Sequence, residues 1–107
     1  MEIDALQVTV WSNLGICCLR LKQGVKALGW LEKALAKDPK HFKALCNAGR
    51  ACLLLNELDK AKAFLEEAAS INPGDAMVKK ELSKLPALYA KQDAKEKATW
   101  QAAFKKM

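Results

Sequence analysis

Proline and glycine are scarce in this sequence, three and five residues among 107. An all-β domain spends both freely on tight turns, so their scarcity argues against one. Long apolar runs are absent too, and none approaches the ~20 residues of a membrane span. The first twenty residues lack a basic start followed by an apolar block, so no signal peptide is expected. The sole histidine, His41, precedes a helix start, and no Ser/His/Asp set, paired-carboxylate pattern or glycine-rich phosphate loop accompanies it. An enzyme reading therefore has almost nothing behind it. What remains is 51% apolar and 28% charged, the balance of a folded soluble domain rather than a disordered chain. These features together predict one all-α domain in an intracellular, cytoplasmic setting, with no membrane contact.

The net charge of +6 is unevenly spread. Residues 1–78 are nearly balanced, whereas 79–107 hold eight lysines against Glu81, Asp93 and Glu96. A lysine-rich helix attracts acidic partners or nucleic acid. No arginine cluster or stacking aromatics interleave with these lysines, so a nucleic-acid groove is disfavoured and a solvated helix face is the simpler reading. Four cysteines are present, Cys17, Cys18, Cys46 and Cys52. Without a secretory context they do not read as disulfides. Without a CxxC pair or a Cys/His cluster they do not read as a metal site. They are expected to be small apolar residues in or near a core. No cofactor is implied.

Internal similarity is the strongest signal. Moving 34 residues along the chain takes Gly15 to Gly49, Cys18 to Cys52, Ala27 to Ala61, Leu31 to Leu65, Ala34 to Ala68 and Pro39 to Pro73. Trp11 goes to Leu45 and Leu14 to Ala48. Trp11, Leu14, Gly15 and Cys18 form one helical stripe, and Ala27, Leu31 and Ala34 form another. Gly15 and Ala27 stand where two helices must approach closely. Turn signals fall at Lys22-Gln23-Gly24 and Asn56-Glu57, and Pro39 and Pro73 end the second helix of each pair. The spacing predicts helices at about 4–21, 24–37, 41–55 and 58–70.

This pattern resembles the tetratricopeptide repeat, whose period is the same. The repeats would run over about 8–41 and 42–75 within a domain of 1–74, stacked as a right-handed solenoid. After Pro73 the period fails, because Lys79 and Pro86 stand where a large apolar residue and an aromatic or cysteine belong. Met77, Val78, Leu82, Leu85 and Tyr89 still mark an apolar stripe, and Trp100 and Phe104 continue it at i, i+4. Residues 75–107 therefore read as one long capping helix, bent near Pro86. Its first half covers the last repeat, as solenoid ends require, and its second half has no core to pack on.

Two stretches narrow the resemblance: KALCNAGRACLLLNELDKAKAFLEEAASINP (43–73) and KELSKLPALYAKQDAKEKATWQAAFKKM (80–107). They resemble the C-terminal part of the large FK506-binding-protein co-chaperones, most closely the germline branch. The aryl-hydrocarbon-receptor interacting protein shows the next nearest pattern. The resemblance implies a fragment holding the second and third repeats and the last helix, without the isomerase-type domain or the first repeat. The face near Val10, Trp11 and Leu14 would then be partly bare, and a bare apolar face invites dimerisation or swapping. It further implies a partner, heat-shock protein 90, and for the germline branch a role in loading piRNA and silencing transposons.

In that family the groove lined by the first helices clamps a C-terminal Glu-Glu-Val-Asp through its carboxylates. By resemblance Asn13 matches the clamp asparagine of the second repeat and Lys43 the clamp lysine of the third. The pattern wants arginine one turn after Lys43, and this chain has Asn47 there. Losing that arginine would weaken binding ~10- to 100-fold, unless Arg50, three residues on and on the same side, supplies the cation. Trp30 and Phe64 sit at equivalent places and are expected to pack against neighbours. Trp100 and Phe104 are a partner-binding stripe or a self-packed pair. One rival reading keeps the fold but gives up the clamp, binding another protein through the convex face or the last helix. A second makes residues 79–107 a basic nucleic-acid or calmodulin-type binder.

Overall fold

The thirty-four-residue period becomes two helical hairpins followed by a long fifth helix. The computed structural model describes residues 2–105. Its helices are α1 (Glu2–Arg20), α2 (Gly24–Lys37), α3 (Phe42–Leu54), α4 (Leu58–Ile71) and α5 (Ala76–Lys105). Among the described residues there is no strand. The order of packing follows the chain: α1 on α2, α2 on α3, α3 on α4 and α4 on α5.

Helix ends repeat as faithfully as helix faces. At the end of α1, Lys22 takes a φ of 60°, and at the end of α3 Asn56 does the same. The N–H of Gln23 donates to Cys18 O at 2.9 Å and that of Lys22 to Leu19 O at 3.0 Å. Thirty-four residues later, Glu57 donates to Cys52 O at 2.8 Å and Asn56 to Leu53 O at 3.1 Å. Both are Schellman closures, which satisfy otherwise orphaned carbonyls. Asparagine tolerates that left-handed position and lysine pays for it. Gly24, the last residue of the turn signal, is the first residue of α2, where the spacing put the start of that helix. It is small because Leu55 lies against it, with Leu55 Cδ2 2.9 Å from where a Cβ would stand. At the start of α3, His41 Nδ1 accepts the N–H of Ala44 at 3.2 Å. At the start of α5, Asp75 Oδ2 accepts that of Val78 at 3.0 Å. These are N-caps, and each satisfies a first-turn donor.

The core is built of leucines seated on glycine and alanine. Ala27, Leu31, Ala34, Ala61, Leu65 and Ala68 are wholly buried. Fully burying one leucine stabilises the fold by roughly 1.5–3 kcal/mol, and the small residues opposite let the backbones close on it. Val78 and Leu85 of α5 are buried, and Leu82, Leu88 and Tyr89 pack partly onto the same clusters. The first half of α5 thus caps the stack. The helix continues through Pro86, whose missing N–H leaves Leu82 without its usual i+4 donor. Phe64 packs against both clusters. Trp30 is half-buried with Lys33 Nζ 4.9 Å from its ring centroid.

One expectation is corrected. Cys46 and Cys52 are buried and Cys18 half-buried, but Cys17 is exposed. Adjacent residues on a helix point about 100° apart. Cys17 shares the outer side of α1 with Leu6, Val10 and Leu14, which are 66%, 53% and 38% exposed. No described helix covers that side.

Candidate functional site

The resemblance places a groove along the first helices, and the candidate residues for it stand where α1 and α3 run side by side. Asn13 on α1 and Lys43 on α3 both reach solvent. Lys43 Nζ donates to Asn13 Oδ1 at 3.4 Å across 30 residues of sequence. The two residues singled out from the sequence are therefore brought together.

Lys43, Asn47 and Arg50 are spaced four and three apart on α3, so one face of the helix carries all three. Asn47 is only 5% exposed. A buried amide must find partners, and Asn47 finds them locally. Its Nδ2 donates to Lys43 O at 2.8 Å, and its Oδ1 accepts from Arg50 Nη1 at 3.4 Å. Arg50 is exposed, and its guanidinium has five N–H donors, of which this contact uses one. Asn47 is thus committed to the helix and to Arg50, and the cations of this face are Lys43 and Arg50.

Arg50 also acts on its surroundings. Burial pushes the Cys46 thiol up to about 11; the charge of Asp75 adds to that rise and the charge of Arg50 opposes it. The neighbouring core thiol, Cys52, is likewise raised to about 11, mainly by burial. Neither is a nucleophile at neutral pH.

Sequence reasoning passed over Glu81. It lies on α5, thirty-four residues after Asn47 and sixty-eight after Asn13, and it is almost buried. Lys84, in register with Arg50, donates to both Glu81 oxygens at 3.3 and 3.4 Å. The repeat register was the signal that would have found it. Further along α5, the Tyr89 hydroxyl donates to Asp59 Oδ1 at 2.7 Å and ties the capping helix to α4.

Trp100 and Phe104 do not join the groove. They lie near the far end of α5, 66% and 68% exposed, with ring centroids 6.2 Å apart and planes tilted by 35°. Among the described residues, no helix is long and apolar enough to cross a membrane, and no three His, Cys, Asp or Glu side chains gather to hold a metal ion. The groove offers cations and amides to an anion, and carboxylates are the anions that charge-assisted N–H donors of this kind hold best.

Residues 19–85 match the family model of the tetratricopeptide repeat. The human protein named inactive peptidyl-prolyl cis-trans isomerase FKBP6 is 38% identical over 102 residues, 95% of this chain and 31% of that protein. The chain thus spans about a third of the length of this curated relative. The first TPR of Spaghetti (RPAP3) bound to HSP90 peptide SRMEEVD is similar in structure, with a TM-score of 0.75 and 25% identity, over 78% of this chain and 66% of that one. The Hsp90 co-chaperone Cns1 from Saccharomyces cerevisiae gives a TM-score of 0.80 and 25% identity, over 99% of this chain and 34% of that one.

Proposed function

Because this chain belongs to the tetratricopeptide-repeat family, we propose that it is a protein-interaction module holding the acidic C-terminal peptide of heat-shock protein 90. The Lys43–Asn13 contact carries this reading. It places a cation and an amide side by side on the groove wall, where a chain-terminal carboxylate displaces one neutral acceptor, Asn13 Oδ1, and gains an ion pair. Arg50 supplies the second cation, in place of the arginine that Asn47 replaces. The Hsp90 peptide named with the first TPR of Spaghetti supports the choice of ligand.

The test is an NMR titration of SRMEEVD into the labelled chain, carried to millimolar peptide so that weak binding registers. Shifts centred on Asn13 and Lys43 are expected, lost with a C-terminally amidated peptide and with Lys43→Ala. The reading falls if the amidated peptide binds as well as the free acid.

The exposed stripe on α1 favours a longer parent protein. Thirty-four residues after Val10 and Leu14 stand Ala44 and Ala48, both wholly buried in the stack. A further hairpin before α1 would bury Val10 and Leu14 in the same way, and would belong with the first repeat and FK506-binding domain that the resemblance implies. In the isolated chain the same stripe is the surface through which a second copy would pair, and light scattering across a dilution series measures this. The cytoplasmic location and the role in germline piRNA loading rest on the resemblance. Failure of a Lys43→Ala parent to restore transposon silencing in germ cells lacking it is the expected outcome.

A further inference from the structure

We propose that Arg50 makes this groove select a ligand with an acidic side chain three residues before its C-terminus, an inference that rests on the carboxylate reading above. Lys43 and Arg50 are seven residues apart on α3, which puts them on one face of the helix, about 10 Å apart along its axis. An extended peptide advances about 3.3 Å per residue. A peptide whose terminal carboxylate meets Lys43 and Asn13, and which runs along α3, brings the residue three before its last one to Arg50. The position in between belongs to Asn47. Asn47 is buried, its Oδ1 is turned to Arg50, and one of its N–H groups is spent on Lys43 O. It carries no charge with which to hold a carboxylate two residues from the end. Nor does α5 offer a free cation at the register of Arg50, because Lys84 is paired with Glu81. Arg50 is exposed and, among the described residues, meets only a neutral oxygen, so a carboxylate gains a charge-assisted partner there without breaking an ion pair.

In SRMEEVD the first glutamate stands three residues before the terminal aspartate and the second stands two before. Three peptides are titrated into the chain and into Arg50→Ala: SRMEEVD, SRMQEVD and SRMEQVD. Replacing the first glutamate is expected to weaken binding to the unaltered chain about tenfold, and replacing the second less than threefold. In Arg50→Ala the loss from the first replacement disappears, so that SRMEEVD and SRMQEVD bind alike. Arg50 is exposed, so the variant is expected to keep its fold, and circular dichroism checks that. A larger loss from the second glutamate, or a first-glutamate dependence that survives in Arg50→Ala, overturns the inference. In either case loss of binding to an amidated SRMEEVD shows that the carboxylate reading stands without it. If the amidated peptide binds unchanged, or SRMEEVD causes no shifts at millimolar concentration, both fall together.

Discussion

Gly15 and Leu31 meet so closely that a Cβ built on Gly15 would stand 2.5 Å from Leu31 Cγ. One repeat later Gly49 and Leu65 stand in the same relation, at 2.6 Å. Both leucines are wholly buried, so neither has space to retreat into. Gly15→Ala and Gly49→Ala are each expected to destabilise the fold. Overpacking costs about 1–3 kcal/mol, which outweighs the ~1 kcal/mol that alanine gains over glycine inside a helix. Gly29→Ala is the opposite case, because nothing lies within 4 Å of its would-be Cβ. It should stabilise by about 0.5–1 kcal/mol. Urea unfolding of the three variants checks the signs, and a more stable Gly15→Ala would refute the close fit.

The Tyr89–Asp59 bond has a direct optical readout, because Tyr89 is the sole tyrosine. The hydrogen bond to Asp59 raises its pKa above the usual 10, with desolvation and the Asp59 charge adding to the rise. Absorbance at the tyrosinate band should therefore give a midpoint above 10 in the folded chain. Asp59→Asn should bring it back towards 10. A raised acid favours the folded state fully below pH 10, and that contribution is lost as pH climbs through the folded value. Tyr89→Phe should accordingly flatten this part of the alkaline stability curve. A midpoint that ignores Asp59→Asn would mean the bond does not form in solution.

Thiol chemistry should separate the four cysteines by environment. Cys17 is exposed, whereas burial holds Cys46 and Cys52 at about 11. A maleimide or disulfide reagent near pH 8 should label Cys17 first and Cys18 more slowly. Cys46 and Cys52 should be labelled only on unfolding, as peptide mapping by mass spectrometry will read. Unfolded thiols ionise near pH 9 and these two near 11, so their contribution to stability is full below 9 and fades between about 9 and 11. Early labelling of Cys46 or Cys52 would contradict the packing.

The hairpins were legible because their cause is written twice. Gly15 and Gly49 repeat a close approach, and Leu31 and Leu65 repeat what fills it. The cap was legible too, since Met77, Val78, Leu82, Leu85 and Tyr89 keep a helical stripe after the repeat has lapsed. The exposure of Cys17 was not, because burial depends on which helix lies opposite and not on the stripe itself. The turn itself was placed within Lys22-Gln23-Gly24, but which of the three takes the left-handed conformation was not legible. The chain strains Lys22 and spends the glycine on contact with Leu55. At the site, Asn13 and Lys43 were named through the family resemblance, which set which positions of the repeat face the groove. That Asn47 turns inward to serve Lys43 and Arg50 follows from side-chain geometry that no spacing encodes, whereas Glu81 stood in the repeat register of Asn47 and was missed because the period lapses elsewhere in α5.

The distal half of α5 gives the last prediction. Trp100 and Phe104 are mostly exposed and contact each other, whereas Leu85, fifteen residues earlier on the same helix, is 4% exposed. Apolar side chains stabilise a fold only by the surface they withdraw from water. Trp100→Ala and Phe104→Ala should therefore change the unfolding free energy by no more than ~0.5 kcal/mol, while Leu85→Ala should cost about 2–5 kcal/mol. Aromatic pairs of this geometry add about 0.5–1.5 kcal/mol beyond area, but in water that gain orders one helical turn and not the stack. A loss above ~1 kcal/mol from Trp100→Ala would mean that the end of α5 packs on the body, and a near-zero value leaves the pair free to serve a partner.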